Sequence, residues 1–350
     1  MLSYKDALKQ LKDDETRSIL IANGFSQAWD ANIFDYASLF ESANFNTRTT
    51  EIRALFEASN TYDFEAIMCW LESAQVVLET YGADPDLIQT IEKDQEILKE
   101  SLLDAIANTH PKLPSEVKDD QYVAVRTFLS GFKNVFSLNY DLLFYWARNK
   151  TELGPDPYKT DDGFRSSSTW NITGTEQNVY FLHGGLHIYE DGSDVRKHVY
   201  STNGETIIEQ VRKNLNKGKF PLFVSEPNND KKKEKIDHNP YLRHAFGKLK
   251  ELDHTLFIHG HSMDENDNHI FNQVKSSGVE KVYVSIFGDE NTADNKRLKA
   301  NAKKYLSSIT VSVVFYQAET APIWEKQGKV IWLRTFRLKR PPLDSLKLAA

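Results

Sequence analysis

Residues 18–26, with the sequence SILIANGFS, decide the fold class of this 350-residue chain. The first five form an apolar run without polar alternation, which is typical of a strand buried on both faces of a sheet. Asn23, Gly24, Phe25 and Ser26 follow as a glycine-containing turn, and a helix is predicted from Gln27. A strand, a glycine turn and a helix start in succession favour an anion-binding loop, because exposed N–H groups and the helix dipole attract phosphate.

The same turn has a simpler interpretation. Neither the full G-x-G-x-x-G pattern nor G-x-x-x-x-G-K-[ST] occurs in the sequence, so the glycine motif is a weak signal. A tight turn in which Ser26 caps the following helix explains these residues equally well.

Short apolar runs of the same kind recur along the chain and predict further strands. They cover residues 134–138, 179–182, 221–225, 255–258, 281–287, 309–316 and 330–334. Helix-period stretches over 268–277 and 291–306 separate some of these runs. Alternating strands and helices predict an α/β fold, with a Rossmann-like, mainly parallel sheet and helices on both faces.

The segment between the first two predicted strands has a different pattern. Residues 27–131 contain no convincing strand, whereas apolar residues at helical spacing lie in two stripes: Phe64, Ile67, Met68 and Leu71, and then Leu87, Ile91, Leu98, Leu102 and Ala105. We therefore predict a helical insertion over 27–131. Residues 1–26 and 132–350 would together form the α/β domain.

Composition narrows the function classes. The formal net charge of −7 gives no general support for nucleic-acid binding. One cysteine, Cys69, excludes both a disulfide framework and a four-cysteine zinc module. No apolar run has the length of a signal core or a membrane span. These features predict a soluble cytoplasmic protein with no direct contact to nucleic acid or membrane.

Polar residues follow two predicted strands at the place where open α/β sheets bind ligands. Asn139 and Asp141 come after the second strand, and His183 ends the third, directly before Gly184 and Gly185. Asp141 is also a plausible helix cap, and a lone histidine is more often structural than catalytic. A histidine at such a position can nevertheless exchange a proton near neutral pH.

Two further segments have alternative interpretations. One is the pattern His-x-His followed by an aspartate, at His259, His261 and Asp264, which suggests a metallohydrolase site. Asp264 is one position late for that motif, so a turn at Gly260 with Ser262 or Asp264 as the cap of the next helix is the simpler interpretation. Residues 228–235, NNDKKKEK, predict a charged surface loop that could also close over phosphates.

Four motifs in order resemble the sirtuin-like (Sir2-like) NAD-consuming domains of bacterial anti-phage defence effectors. They are ANGFS (22–26), LNYD (138–141), LHG (182–184) and GHSMDEND (260–267). The DGF turn (162–164), SEPNNDKKKEKI (225–236) and NPYLRHAF (239–246) are similar to a stand-alone subgroup found in multi-gene systems such as Kongming. In those systems the effector is paired with a nucleotide-sensing, inosine-triphosphatase-like subunit.

The resemblance implies a role for each matching residue. The dinucleotide loop would be Ala22, Asn23, Gly24, Phe25 and Ser26, and Gly260 and Ser262 would form a late turn that contacts the cofactor. Asn139, Asp141 and the catalytic His183 complete the site. The four zinc-binding cysteines of sirtuin deacylases are missing, which favours a cysteine-free hydrolase without metal.

We therefore expect an NAD+ glycohydrolase that releases nicotinamide and ADP-ribose. Departing nicotinamide becomes neutral and needs no general acid, so the enzyme must stabilise an oxocarbenium-like ribose and present water. Asn139 would position water and ribose, and His183 would accept a proton. Because constant NAD+ loss is toxic, we expect control by homo-oligomerisation or by the partner subunit. The alternatives are a noncatalytic NAD or ADP-ribose sensor and the metallohydrolase.

Overall fold

The computed structural model describes residues 1–12, 15–31, 36–59, 61–155, 158–164, 168–173, 176–199, 204–215, 217, 220–224 and 229–324. The predicted strand over 330–334 and residues 225–228 of the segments named above lie outside these residues. The described strands, in chain order, are β1 Arg17–Ile21, β2 Asn134–Ser137, β3 Val179–Phe181, β4 Gly184–Asp191, β5 Asp194–Lys197, β6 Pro221–Phe223, β7 Asp253–His259, β8 Gly278–Ile286 and β9 Ser312–Gln317.

Six of these strands form one parallel sheet in the order β3-β2-β1-β7-β8-β9. This is the doubly wound order, in which the first strand lies in the middle and the chain then builds outward on each side. The apolar runs of β1, β2, β3, β7 and β8 are largely buried, as expected for a sheet covered on both faces, whereas the edge strand β9 is only partly buried. The predicted α/β Rossmann-like fold is confirmed.

The other three strands form a separate antiparallel sheet in the order β5-β4-β6. The predicted strand over 221–225 is confirmed for Pro221–Phe223, and it pairs antiparallel with β4 outside the main sheet. Gly184 makes this second sheet possible. Its φ is +75°, and a Cβ there would lie 2.0 Å from the carbonyl oxygen of Leu222. The chain can thus turn directly from β3 into β4, where the sequence suggested only a flexible turn.

Thirteen α-helices are described. They are α1 Tyr4–Lys9, α2 Asn23–Gln27, α3 Tyr36–Ser42, α4 Thr49–Ser59, α5 Phe64–Thr80, α6 Pro85–Thr109, α7 Asp119–Leu129, α8 Leu143–Asn149, α9 Ile207–Leu215, α10 Asn229–His238, α11 Pro240–Lys248, α12 Asn268–Lys275 and α13 Ala293–Leu306. Within this set, no helix is both long and apolar enough to cross a membrane.

Helices α3 to α7 lie between β1 and β2, and the described part of residues 27–131 contains helices and no strand. Their own apolar core includes Phe56, whose ring lies 5.9 Å from that of Phe45 and 5.0 Å from that of Phe64. The predicted stripe on α6 is buried at Leu98, Leu102 and Ala105, but Leu87 is 46% exposed because it lies in the first turn, before the buried part of the helix. The domain boundaries themselves stay a prediction.

Two local predictions are wrong. The helix expected from Gln27 instead begins at Asn23 and ends at Gln27, with Ala22 at the N-cap position, so Ser26 lies inside the helix. The charged stretch expected as a loop forms α10 from Asn229 onward. Its buried positions are Lys232 and Ile236, four residues apart on one helical face. The high charge of the other positions hid this two-residue stripe.

Candidate active site

Strand order reverses between β1 and β7, and the two chain segments that leave these strands touch each other. Gly24 donates its N–H to the carbonyl oxygen of Gly260 at 2.9 Å, and Ala22 donates to His259 at 3.0 Å. A Cβ on Gly24 would lie 2.6 Å from the Cα of Gly260, whose φ is +75°. Only glycine at both positions permits this approach. The structure therefore brings together the predicted dinucleotide loop and the predicted late glycine turn.

The N–H groups of this loop already have partners in part. Besides the Gly24 bond, Phe25 donates its N–H to Ala22 at 2.8 Å. The Phe25 ring is fully buried, and its carbonyl oxygen accepts the indole N–H of Trp324 at 2.7 Å. Phe25 is thus a core residue. A phosphate at this loop would have to use other donors, so the diphosphate contact stays a prediction.

A buried hydrogen-bond network joins the ends of β1 and β2. Ser26 donates its hydroxyl to Asp141 Oδ2 at 2.5 Å and accepts from Asn139 Nδ2 at 2.8 Å. Ser26 is 0% exposed, Asp141 5% and Asn139 6%. The network fixes the amide of Asn139, which keeps one N–H and its carbonyl oxygen for further contacts. Three predicted site residues therefore meet in one place.

Asp141 has a structural role as well. Its Oδ1 accepts the backbone N–H of Leu143, the first residue of α8, at 2.8 Å. Burial raises the pKa of Asp141, while the bonds from Ser26 and from the Leu143 amide oppose that rise. Leu142 occupies the N-cap position, so Asp141 bonds the first turn of α8 from one residue before the cap, and its role in a ligand site stays a prediction.

His183 lies at the end of β3 in a buried cluster of ionisable side chains. Its Nε2 is 3.4 Å from His269 Nε2 and 3.9 Å from Asp267 Oδ1. Asp267 also accepts from Lys232 at 3.1 Å through Oδ1, and its Oδ2 lies 3.1 Å from His261 Nε2. Burial lowers the pKa of His183 well below its ordinary value, although Asp267 acts in the opposite direction. The ring is therefore neutral near pH 7.

The carboxylate at the centre of this cluster stays ionised. Burial alone would raise the pKa of Asp267, but Lys232, His261 and His183 hold it well below its ordinary value. Lys232 is only 1% exposed. An unpaired charge in the protein interior has a large desolvation cost. The attraction between the Lys232 ammonium group and the Asp267 carboxylate offsets part of that cost for both groups.

Among the described residues, one group could surround a metal ion. It consists of His183, Asp267 and His269, each of which offers one ligand atom, and these three atoms lie within 4.8 Å of one another. Lys232 argues against a divalent ion there, because its ammonium group already neutralises Asp267. The alternative metal group of His259, His261 and Asp264 does not form. His259 Nδ1 lies 2.9 Å from the Tyr316 hydroxyl, away from the carboxylate that His261 faces.

Two other predicted residues lie at the protein surface. Asn23 and Ser262 are exposed, on either side of the Gly24–Gly260 contact. The sequence did not identify Lys232, Asp267 and His269 as site residues. Asp267 ends the GHSMDEND motif and His269 follows two positions later, so the ionisable residues after β7 are a sequence signal for these two, but not for Lys232, which precedes β7.

A family model described as a domain of unknown function, DUF4917, matches residues 19–324. The chain belongs to this family. No curated protein matches this DUF4917 chain. The match covers the helical region between β1 and β2 and most of the sheet.

Solved sirtuin structures are similar to the DUF4917 chain at low identity. One, from work on the structural basis of sirtuin substrate affinity, is 13% identical with a TM-score of 0.42, covering 94% of this chain and 100% of the other. Another, from work on the mechanism and regulation of Sir2 enzymes, is 13% identical with a TM-score of 0.39, covering 91% of this chain and 94% of the other.

Proposed function

We propose that the chain is an NAD+ glycohydrolase that releases nicotinamide and ADP-ribose. The observation that carries the proposal is the buried Ser26–Asn139–Asp141 network beside the Gly24–Gly260 contact, at the reversal point of a doubly wound sheet. Ligands of such sheets bind at this position. The four ordered sirtuin-like motifs support NAD+ as the ligand.

Asn139 would hold the water and the ribose hydroxyls. Ser26 uses its own hydrogen toward Asp141, so it can only accept from Asn139, and this fixes which end of the amide is Nδ2. An amide that is already oriented before substrate arrives loses little freedom on binding. The network would therefore serve to preorganise one side chain.

In the reaction, the C1′–N bond breaks and its electron pair neutralises the pyridinium nitrogen of nicotinamide. Water then forms the new C1′–O bond, and the proton that it loses passes to neutral His183. The products are nicotinamide, ADP-ribose and one proton. No metal is needed for this balance, and a neutral histidine is the form able to accept a proton.

The test is nicotinamide release from NAD+ by purified protein, comparing wild type with Asn139→Ala and His183→Ala. Asn134→Ala and His244→Ala are matched controls, since Asn134 bonds Ser18 at the other end of β2 and His244 packs on Trp170. We expect both site variants to lose about 10²-fold or more in rate, with the controls unchanged. Release that survives both site substitutions would refute the assignment.

A noncatalytic sensor is the second candidate, and the burial of His183 favours it. The ring is 3% exposed, so a substrate can reach it only if the neighbouring segments move. NAD+ or ADP-ribose binding by calorimetry, without nicotinamide release at any protein concentration and with the nucleotide-sensing partner present, would support the sensor and exclude the hydrolase.

We further propose that the enzyme is a cytoplasmic anti-phage effector, controlled by self-assembly or by a nucleotide-sensing, inosine-triphosphatase-like partner. The helical insertion offers a surface for such contacts. Trp70, Val77 and Tyr81 share one face of α5 and its end, and they are 48%, 54% and 86% exposed. Specific activity that rises with protein concentration, and that Tyr81→Ser reduces, would support assembly. Constant specific activity with an unchanged monomer mass would contradict it.

A further inference from the structure

A directed chain of hydrogen bonds runs from a backbone carbonyl group to the candidate catalytic histidine. It begins at Glu265, whose carbonyl oxygen accepts from Asn229 Nδ2 at 2.7 Å. The other end of that amide, Asn229 Oδ1, accepts the backbone N–H of His269 at 3.0 Å and lies 3.0 Å from His269 Nδ1. Both backbone partners require this orientation of the Asn229 amide, because a carbonyl oxygen cannot donate and an N–H cannot accept.

The amide orientation fixes the proton on His269. Since Asn229 Oδ1 can only accept, the Nδ1 of His269 carries the hydrogen. Burial lowers the pKa of His269 to about 4, so the ring is neutral at pH 7 and its Nε2 has a free lone pair. This lone pair faces the Nε2 of His183 at 3.4 Å.

Two ring nitrogens can share a hydrogen bond only when one of them carries the hydrogen. We propose that His183 carries its hydrogen on Nε2, donated to His269, so that Nδ1 is the atom that accepts the proton during catalysis. His269 and Asn229 are then positioning residues that hold one tautomer of His183. This inference rests on the proposed hydrolase function for its catalytic consequence, but not for the tautomer itself.

The neighbouring charges fit the same assignment. His261 accepts the Met263 N–H through Nδ1 at 2.7 Å, so its Nε2 donates to Asp267. Asp267 is thereby held with Oδ1 3.9 Å from the Nε2–H of His183. When Nδ1 gains a proton, the resulting imidazolium lies beside this carboxylate, while Lys232 on the same oxygen limits the stabilisation. Asp267 is a third positioning residue.

The tautomer can be measured without any substrate. In protein labelled with ¹⁵N-histidine, long-range ¹H–¹⁵N correlation distinguishes a protonated ring nitrogen from a bare one. The signal that disappears in His183→Gln identifies His183. We expect a protonated Nε2 and a bare Nδ1 at pH 7. A protonated Nδ1 in the wild-type protein would overturn the proposal.

Two substitutions of His269 distinguish a role in holding the His183 tautomer from a role in packing alone. His269→Gln keeps an acceptor for His183, whereas His269→Leu fills similar space without one. We expect the wild-type tautomer in the first and mixed tautomers in the second. Should His269→Leu fail to fold, Asn229→Leu is the substitute. It removes the acceptor that keeps the hydrogen of His269 on Nδ1, so the Nε2 of His269 is no longer fixed as an acceptor for His183. Unchanged tautomers in both leucine variants would refute the role of the chain.

Activity provides the catalytic half of the test. In nicotinamide release we expect kcat to fall about 10- to 100-fold in His269→Leu, as for other orienting partners, with KM within about twofold. His269→Gln should restore most of kcat. Equal kcat in the leucine and glutamine variants would refute the positioning role. Absence of release in every variant, including the wild type assayed with its proposed partner, would refute the hydrolase and leave the tautomer result to decide the proposal.

Discussion

Ser26→Ala is the substitution that tests the buried network most directly. The change removes one oxygen atom from a site where the backbone and the surrounding apolar contacts can stay in place. It deletes both the 2.5 Å bond to Asp141 and the 2.8 Å bond from Asn139. Neither partner can turn to water, since Asp141 is 5% and Asn139 6% exposed.

The magnitude follows from these two bonds. A buried hydrogen bond to a charged group contributes roughly 1.5–3 kcal/mol and a neutral one roughly 0.5–1.5. We therefore expect the free energy of unfolding to fall by about 2–4 kcal/mol at neutral pH, which corresponds to roughly 3–6 °C in Tm for a chain of this length.

The effect of Ser26→Ala on the free energy of unfolding should also depend on pH, in a direction that follows from the pKa of Asp141. Burial raises the pKa of Asp141, and the Ser26 bond opposes this, so losing Ser26 raises the pKa further. A carboxyl group whose folded-state pKa is raised loses stability as pH rises through that pKa. The effect of Ser26→Ala should thus be largest at pH 8 and smaller near pH 4, where a larger fraction of Asp141 is protonated.

Urea unfolding of wild type and Ser26→Ala at pH 4, 6 and 8 measures this directly. Ser130→Ala is the matched control, because the Ser130 hydroxyl is exposed and donates only to Thr127 in the preceding turn. We expect less than about 0.5 kcal/mol from the control. A Ser26→Ala effect that is equally small, or that is the same at pH 4 and pH 8, would refute the assigned charge of Asp141.

Two further predictions concern the glycine contact and a buried histidine. Gly24→Ala places a Cβ 2.6 Å from the Gly260 backbone, so it should lower the free energy of unfolding in urea by about 1–3 kcal/mol. Gly247→Ala is the control and should not destabilise the protein, because a Cβ there meets no atom within 4 Å outside its own helix. His110 accepts the Leu142 N–H through Nε2, and burial lowers its pKa to about 4. The unfolded chain takes up that proton near pH 6.5, so stability falls with pH below this value. By pH 5 His110 should account for about 2 kcal/mol, and His110→Gln should show that much less pH dependence.

The parallel sheet could be predicted from sequence because most of its strands are buried on both faces. An uninterrupted run such as residues 281–287 has few other interpretations, and the structure has β8 there. The second sheet could not be predicted in the same way. Its strand β4 begins with two glycines that look like a turn, and the antiparallel pairing depends on the positive φ of Gly184. The backbone conformation of Gly184 therefore explains why the second sheet was harder to predict than the first.

The candidate site was predictable only where its residues directly follow strands. Asn139, Asp141 and His183 come immediately after β2 and β3, so their position could be inferred once the strands were known. Lys232 could not be found this way, because it lies in a run of lysines on α10 where charge suggests a solvated surface. Its burial depends on the packing of α10 near α12, which no local pattern encodes.

The histidine cluster shows why a residue can be predicted while its reacting atom cannot. Position after β3 suffices to single out His183, but its tautomer depends on His269, on the amide of Asn229 and finally on the carbonyl group of Glu265. These residues belong to two helices and a turn that follow His183 by 46 to 86 positions. A backbone carbonyl has the same chemistry in every residue, so sequence cannot mark it. The direction of the hydrogen-bond chain, and with it the basic nitrogen of His183, is therefore a property of the fold alone.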